Sequence, residues 1–187
     1  YSEVGTTLLS RRNRSFTSEL KDAMTGLPGG AAFQVMIERE SLSDSIESLT
    51  AESAEIFEEL LPRRLKLLPG VERLLDHLEQ LEIERCVATS SSHRFAERVL
   101  TLTKLKDRFK FVITSEDVER GKPHPDIYKG AAKQLQVAEK QMLVLEDSHY
   151  GSRAGVSSGA CTVAVPGPHS QHHDFAGVHF IADTLND

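Results

Sequence analysis

An α/β fold, with a parallel sheet preceded by an all-helical lobe, is what this sequence predicts, on three observations. From Leu68 onward, short apolar runs rich in β-branched residues alternate with amphipathic stretches of helical length. Before about Lys66 the apolar residues recur only at helical spacing, with no convincing strand. The chain has 187 residues, 39% of them apolar. Chains of that size hide roughly 70% of their unfolded surface on folding, so a sizeable core is within reach.

The helical part, residues 1–66, reads as four short amphipathic helices. Val4, Leu8 and Leu9 share one face. Leu20, Ala23 and Met24 form the second and stop at the breaker run Gly26-Leu27-Pro28-Gly29-Gly30. Phe33, Met36 and Ile37 mark the third, and Ile56, Phe57, Leu60 and Leu61 the fourth. Residues 67–187 then alternate. A helix from about Val71 to Leu81 leads to Cys86-Val87-Ala88, and one from about Phe95 to Leu102 leads to Phe111-Val112-Ile113. One from about Ile127 to Leu135 leads to Met142-Leu143-Val144-Leu145, and a last helix precedes Cys161-Thr162-Val163-Ala164-Val165. In such sheets ligands bind at the C-terminal ends of the strands, so chemistry is sought there.

Charge and composition narrow the function. Lys and Arg number 22 against 28 Asp and Glu, a formal charge of −6, which argues against a general nucleic-acid binder. The longest stretch without Asp, Glu, Lys or Arg, Ala154 to His173, is broken by Pro166, Pro168 and three histidines and does not span a bilayer. The first residues do not read as a secretory signal. Cys86 and Cys161 lie in apolar runs and read as small buried hydrophobes, and a reducing, cytoplasmic location is expected.

Three strand ends carry candidate chemistry. The first ends in Thr89-Ser90-Ser91-Ser92, where hydroxyls and free N–H groups at a helix start could hold phosphoryl oxygens; N-capping by Ser91 or Ser92 explains the same residues. After the second comes Glu119-Arg120-Gly121-Lys122-Pro123-His124-Pro125-Asp126, with Pro125 suited to the first helical position. Lys122 there is a restrained cation able to neutralise a phosphoryl group, or an ordinary solvated lysine. The third ends in Glu146-Asp147-Ser148. Adjacent carboxylates at a buried strand end are costly unless paired or bound to a cation, and hard oxygen ligands suit Mg²⁺; an Asp capping the next helix is the competing reading, though it leaves Glu146 unexplained.

The order hydroxyl, lysine, acidic pair resembles the haloacid dehalogenase superfamily, in its branch of β-phosphoglucomutase-like phosphatases with a helical cap. The likeness runs from Leu68 to Val165 and is carried by Leu68-Pro69-Gly70-Val71, Ala88-Thr89-Ser90-Ser91, Thr114-Ser115-Glu116-Asp117-Val118, Gly121-Lys122-Pro123-His124-Pro125-Asp126 and Leu145-Glu146-Asp147-Ser148. The resemblance implies a Rossmann-like parallel core at 67–187 and a helical cap at 1–66. It implies that Thr89 and the Ser90 amide hold the phosphoryl group, that Lys122 bridges it to the nucleophile, and that Asp147 with Glu146 holds Mg²⁺. The family's nucleophile is the first Asp of an Asp-x-Asp motif ending a central strand, and no Asp-x-Asp occurs in these 187 residues. The resemblance therefore places that strand N-terminal to Tyr1, between the strands ending at Thr89 and Glu146.

The expectation is a monomeric Mg²⁺-dependent phosphatase of a small phosphorylated metabolite, with no nucleic-acid or membrane partner. A sugar phosphomutase and a catalytically silent binding module of the same fold are the alternatives. Gly26-Leu27-Pro28-Gly29-Gly30 falls where mutases of the family carry a basic residue, which favours the phosphatase. The basic runs Arg11-Arg12-Asn13-Arg14 and Arg63-Arg64-Leu65-Lys66 read as solvated helix faces, His169, His172 and His173 as an exposed loop, and His93 as a plain helix-start residue.

Overall fold

The computed structural model describes residues 2–24, 29–167 and 170–186. The chain divides into two compact units, Tyr1–Leu65 and Lys66–Asp187.

The first unit contains helices α1 (Ser2–Ser10), α2 (Ser18–Met24), α3 (Gly29–Glu40) and α4 (Ile46–Arg64). Its interior is built from the apolar faces: Leu8, Leu9, Leu20, Met36, Leu49 and Ile56 are almost wholly buried. The fourth helix is not short. Ser45 caps it, its side chain accepting from the Ser48 N–H at 3.1 Å, and it runs 19 residues with Pro62 tolerated near its end. Arg12, read as solvated, is an inter-helix clamp. Its guanidinium donates to Asp44 at 2.6 and 3.0 Å, to Glu52 at 2.6 Å and to the Leu8 carbonyl at 2.8 Å. Arg11 pairs with Glu52 and Arg64 with Glu3, so Arg11, Arg12 and Arg64 of these basic runs find carboxylate partners within the unit. The breaker residues Gly26, Leu27 and Pro28, on which the phosphatase-against-mutase reading rests, lie outside the described residues.

The second unit alternates as expected. Its elements are α5 (Val71–Gln80), β1 (Val87–Ala88), α6 (His93–Leu102), β2 (Val112–Ile113), α7 (Asp126–Leu135), β3 (Leu143–Glu146), α8 (His149–Ser158), β4 (Cys161–Ala164) and β5 (Phe180–Ile181). Gly70 starts α5 at φ +90°, and a Cβ there would lie 2.6 Å from the Leu185 carbonyl carbon, which explains the glycine of Leu68-Pro69-Gly70-Val71. Pro125 is the residue before α7 rather than its first member. Both cysteines are reduced and half-buried rather than fully enclosed.

Among the described residues all strand pairs are parallel, but they form two sheets, β1–β2 and β3–β4–β5. Val87 and Thr89 donate to Phe111 and Ile113 on the β2 side, so the period of two turns the Ala88 peptide toward the opposite, unpaired edge. Helix α7 joins the sheets: Ile127, Tyr128, Ala131 and Ala132 share a core with Ile113 of β2 and Val144 of β3. Helix α8 lies on β3 and β4, with Gly155 close against Thr162 and Val144. No helix among the described residues is long and apolar enough to cross a membrane.

Candidate active site

The hydroxyl run after β1 divides its work. Ser92 caps α6, its side chain accepting from the Phe95 N–H at 3.3 Å. Thr89 Oγ1 accepts from the Ser91 N–H at 3.1 Å and folds the turn on itself. Capping therefore explains Ser92 and leaves Thr89 half-buried and Ser90 exposed at the strand end, with no hydrogen bond to the Ser90 amide among the described residues.

Lys122 is not a solvated lysine. Its Nζ donates to the Ala88 carbonyl at 3.1 Å and to the Glu146 carboxylate, and lies 5.2 Å from the centre of the Tyr128 ring. The side chains of Lys122 and Glu146 are only 9% and 7% exposed. The ammonium thus bridges the end of β1 and the end of β3, although the two strands belong to different sheets. Gly121 and Pro123 bracket it, and the Lys122–Pro123 peptide is cis.

Glu146 receives more than Lys122. The Tyr128 hydroxyl donates to the same oxygen, and Ser148 Oγ donates to the other at 3.3 Å. Burial first, then the charge of Glu146, raises the Tyr128 phenol well above its ordinary value, so it stays protonated and remains a donor. The α8 side closes on this carboxylate at Gly151, where any Cβ would collide with it. Glu146 is therefore a buried, compensated anion. Tyr128 and Gly151 are absent from the sequence-based site, because a tyrosine on an apolar helix face reads as core.

Asp147 differs. It lies just past β3 and is exposed, and no hydrogen bond or ion pair engages its carboxylate among the described residues. The capping reading fails here, because Ser148 is the cap of α8 and accepts from the Gly151 N–H at 3.1 Å. Hard oxygens on Asp147 and on the Ser148-facing side of Glu146 suit Mg²⁺ in kind. They are two carboxylates, and no cluster of three or more acidic, His or Cys ligands occurs among the described residues, so the remaining ligands have to come from elsewhere. Beside them a cleft of about 340 Å³ is lined by Ser148, His149, Tyr150, His173 and Asp174. His149 Nδ1 lies 2.6 Å from the Asp174 carbonyl, and His172 and His173 pack edge to face; His169 lies outside the described residues.

His93 is more than a helix start. Its Nε2 lies 2.9 Å from Asp117 Oδ1, and its N–H donates to Glu116 at 2.9 Å.

Residues 4–165 match the family model described as haloacid dehalogenase-like hydrolase. The chain is 31% identical over 188 residues to (DL)-glycerol-3-phosphatase 2 of Arabidopsis thaliana, covering 94% of this chain and 77% of that protein. It is 27% identical over 159 residues to a phosphorylated carbohydrates phosphatase of Thermotoga maritima, covering 85% and 74%. A crystal structure of a Thermotoga maritima protein assigned as a β-phosphoglucomutase superposes with a TM-score of 0.90 at 25% identity, over 98% of this chain and 88% of that one. The chain belongs to the haloacid dehalogenase-like hydrolases, in the β-phosphoglucomutase-like branch that contains phosphoric monoester hydrolases.

Proposed function

We propose that this protein is a Mg²⁺-dependent phosphatase of small phosphorylated metabolites, of the polyol- and sugar-phosphate class, acting in the cytoplasm as a monomer, with residues 1–66 as its helical cap domain. The buried Lys122–Glu146 pair carries this reading: a fixed ammonium at the strand ends, flanked by Thr89, Ser90 and an unengaged Asp147. An ammonium already oriented by the Ala88 carbonyl and Glu146 needs little reorganisation to meet a phosphoryl oxygen, and such preorganised charge does most of the work in a loose phosphoryl-transfer transition state.

The residues then take these roles. Thr89 Oγ1 and the Ser90 N–H bind two phosphoryl oxygens. Lys122 neutralises a third and draws toward the group the attacking carboxylate of an aspartate on a strand N-terminal to Tyr1. The edge of β1 that the Ala88 peptide faces pairs with no strand among the described residues, which supports that reading. The aspartate oxygen forms a bond to phosphorus as the ester oxygen leaves with the bonding pair and takes up a proton. Water then attacks the aspartyl phosphate, releasing inorganic phosphate and restoring the carboxylate. Asp147 and Glu146 would hold Mg²⁺, which supplies charge compensation to the phosphoryl oxygens. Glu146, fixed by Lys122, Tyr128 and Ser148, also sets where the ammonium sits.

The likeness to a β-phosphoglucomutase supports a phosphomutase as the second reading. Phosphate release from glycerol, pentose and hexose phosphates, with and without Mg²⁺, tests both. Metal-dependent release of phosphate is expected. Failure across the panel overturns the phosphatase, and an isomerised product that requires a bisphosphate activator establishes the mutase.

A further inference from the structure

The segment Thr114-Ser115-Glu116-Asp117 takes no part in the chemistry above, yet it is tied closely to a segment that does. Thr114 is fully buried, and its N–H and hydroxyl both donate to Asp117 Oδ2, at 2.7 and 3.0 Å, while Thr114 Oγ1 accepts from the Glu116 N–H at 3.2 Å. These bonds close a rigid turn at the end of β2. Three further bonds leave it for the neighbouring strand end. Ser115 Oγ donates to the Ser91 carbonyl at 3.4 Å, Glu116 accepts from the His93 N–H at 2.9 Å, and Asp117 Oδ1 meets His93 Nε2 at 2.9 Å. Every one grips Ser91 or His93, within the three residues that follow Ser90.

We propose that the Thr114–Asp117 turn is a clasp that positions the phosphoryl-holding segment Thr89–Ser92, and that positive charge on His93 tightens it. His93 and Asp117 are positioning residues, acting through Thr89 and Ser90 without touching substrate. The inference rests on the reading that Thr89 and Ser90 hold the phosphoryl group. The groups facing the imidazole are Asp117 and Glu116 from the turn and Glu97 from its own helix. Lys106 stands close by but is paired with Glu97, so the balance around the ring is negative. The hydrogen bond to Asp117, then the acidic neighbours, raise the His93 pKa from its ordinary 6.5, and the same pairing lowers that of Asp117. A raised value means that the charged contact is complete below the ordinary histidine range and is lost as pH rises through the shifted value. The clasp is therefore tight below the raised His93 value and slack above it.

Inorganic phosphate is the probe. Its affinity for the Mg²⁺-loaded protein is measured by calorimetry from acid to alkaline pH in wild type, His93→Gln, Asp117→Asn and Thr89→Ala, while NMR follows the His93 ring. His93→Gln keeps a hydrogen-bond donor and discards the charge. Phosphate's own titration is common to all four proteins, so ratios to wild type isolate the clasp. The expected result is phosphate binding about two- to fivefold weaker in His93→Gln than in wild type near pH 6, in line with an exposed charge pair. That ratio approaches one above the His93 midpoint, and Asp117→Asn brings the midpoint down. With a phosphate ester the change falls on KM and spares kcat. Profiles that run parallel at all pH values overturn the clasp alone. Phosphate affinity unchanged in Thr89→Ala removes the reading beneath it, and the clasp falls with it.

Discussion

In each unit of the chain a cation ties separate elements together, Arg12 in the first and Lys122 in the second, and the two are built for different ends. In the helical unit Arg12 spreads a planar guanidinium over Asp44 and Glu52, with a fifth to a sixth of each side chain still exposed. In the α/β unit Lys122 places a compact ammonium between the Ala88 carbonyl and Glu146, both side chains almost enclosed. Arg12 joins elements that already pack through Leu8, Leu9 and Leu49, whereas Lys122 sits where the strands end and their peptide dipoles and side chains converge. An ion pair speaks of function less by its charges than by its place: the first fastens, and the second holds a charge ready for an anion.

Removing each cation in turn sharpens the contrast. Lys122→Met is expected to have the largest effect, lowering turnover at least about a hundredfold, as loss of a preorganised charge does. It also destabilises the fold by roughly 3 kcal/mol, because Glu146 is left buried without its cation. Adding Glu146→Gln should recover the melting temperature and not the turnover; recovery of both would make the pair structural, like that of Arg12. Asp147→Asn should be next. It leaves melting unchanged, since Ser148 performs the capping, but shifts Mg²⁺ titrations of phosphate release to higher metal and lowers turnover by orders of magnitude. Superimposable titrations would take Asp147 out of the metal site.

Arg12→Met is the smallest effect and the mirror of the first. Stability is expected to fall by about 1 kcal/mol with activity per folded molecule intact, the range for a partly exposed ion pair. The loss depends on pH. Hydrogen bonds from Arg12 hold the Asp44 and Glu52 carboxyls below their ordinary 3.8 and 4.5. Their contribution is thus present above those values and disappears as pH falls through the lowered ones. Acid unfolding curves of wild type and Arg12→Met should converge in that window and part above it.

Which of these features the sequence reveals follows from how local their causes are. Strand ends are legible because the apolar run before Glu146 and the run before Thr89 stop abruptly at polar residues, and period-two burial makes such stops visible. The resemblance drew together Thr89, Lys122 and Asp147, which lie dozens of residues apart in the sequence. Tyr128 was hidden because its ring packs with Ile127 and Ala131 as any core residue would, and only the fold brings its hydroxyl to Glu146. The His93–Asp117 pair was hidden for the same reason, its partners lying 24 residues apart. Strand β5 is two exposed residues, too short to show a period. The division into two sheets is not legible in the apolar runs, which announce strands and not their neighbours; only the resemblance, by placing a strand between those ending at Thr89 and Glu146, separates the two groups.

The bare Cα of Gly151 has a consequence for how this family can vary. The Glu146 carboxylate occupies the volume that a methyl group at position 151 would fill, so the two positions share one allotment of space. A homologue bearing Ala or Ser at 151 is then expected to carry the shorter Asp at 146, and a homologue keeping Glu at 146 to keep Gly at 151. Covariation between a strand end and the first turn of the following helix would record that exchange, at a pair of sites where neither residue alone need be invariant.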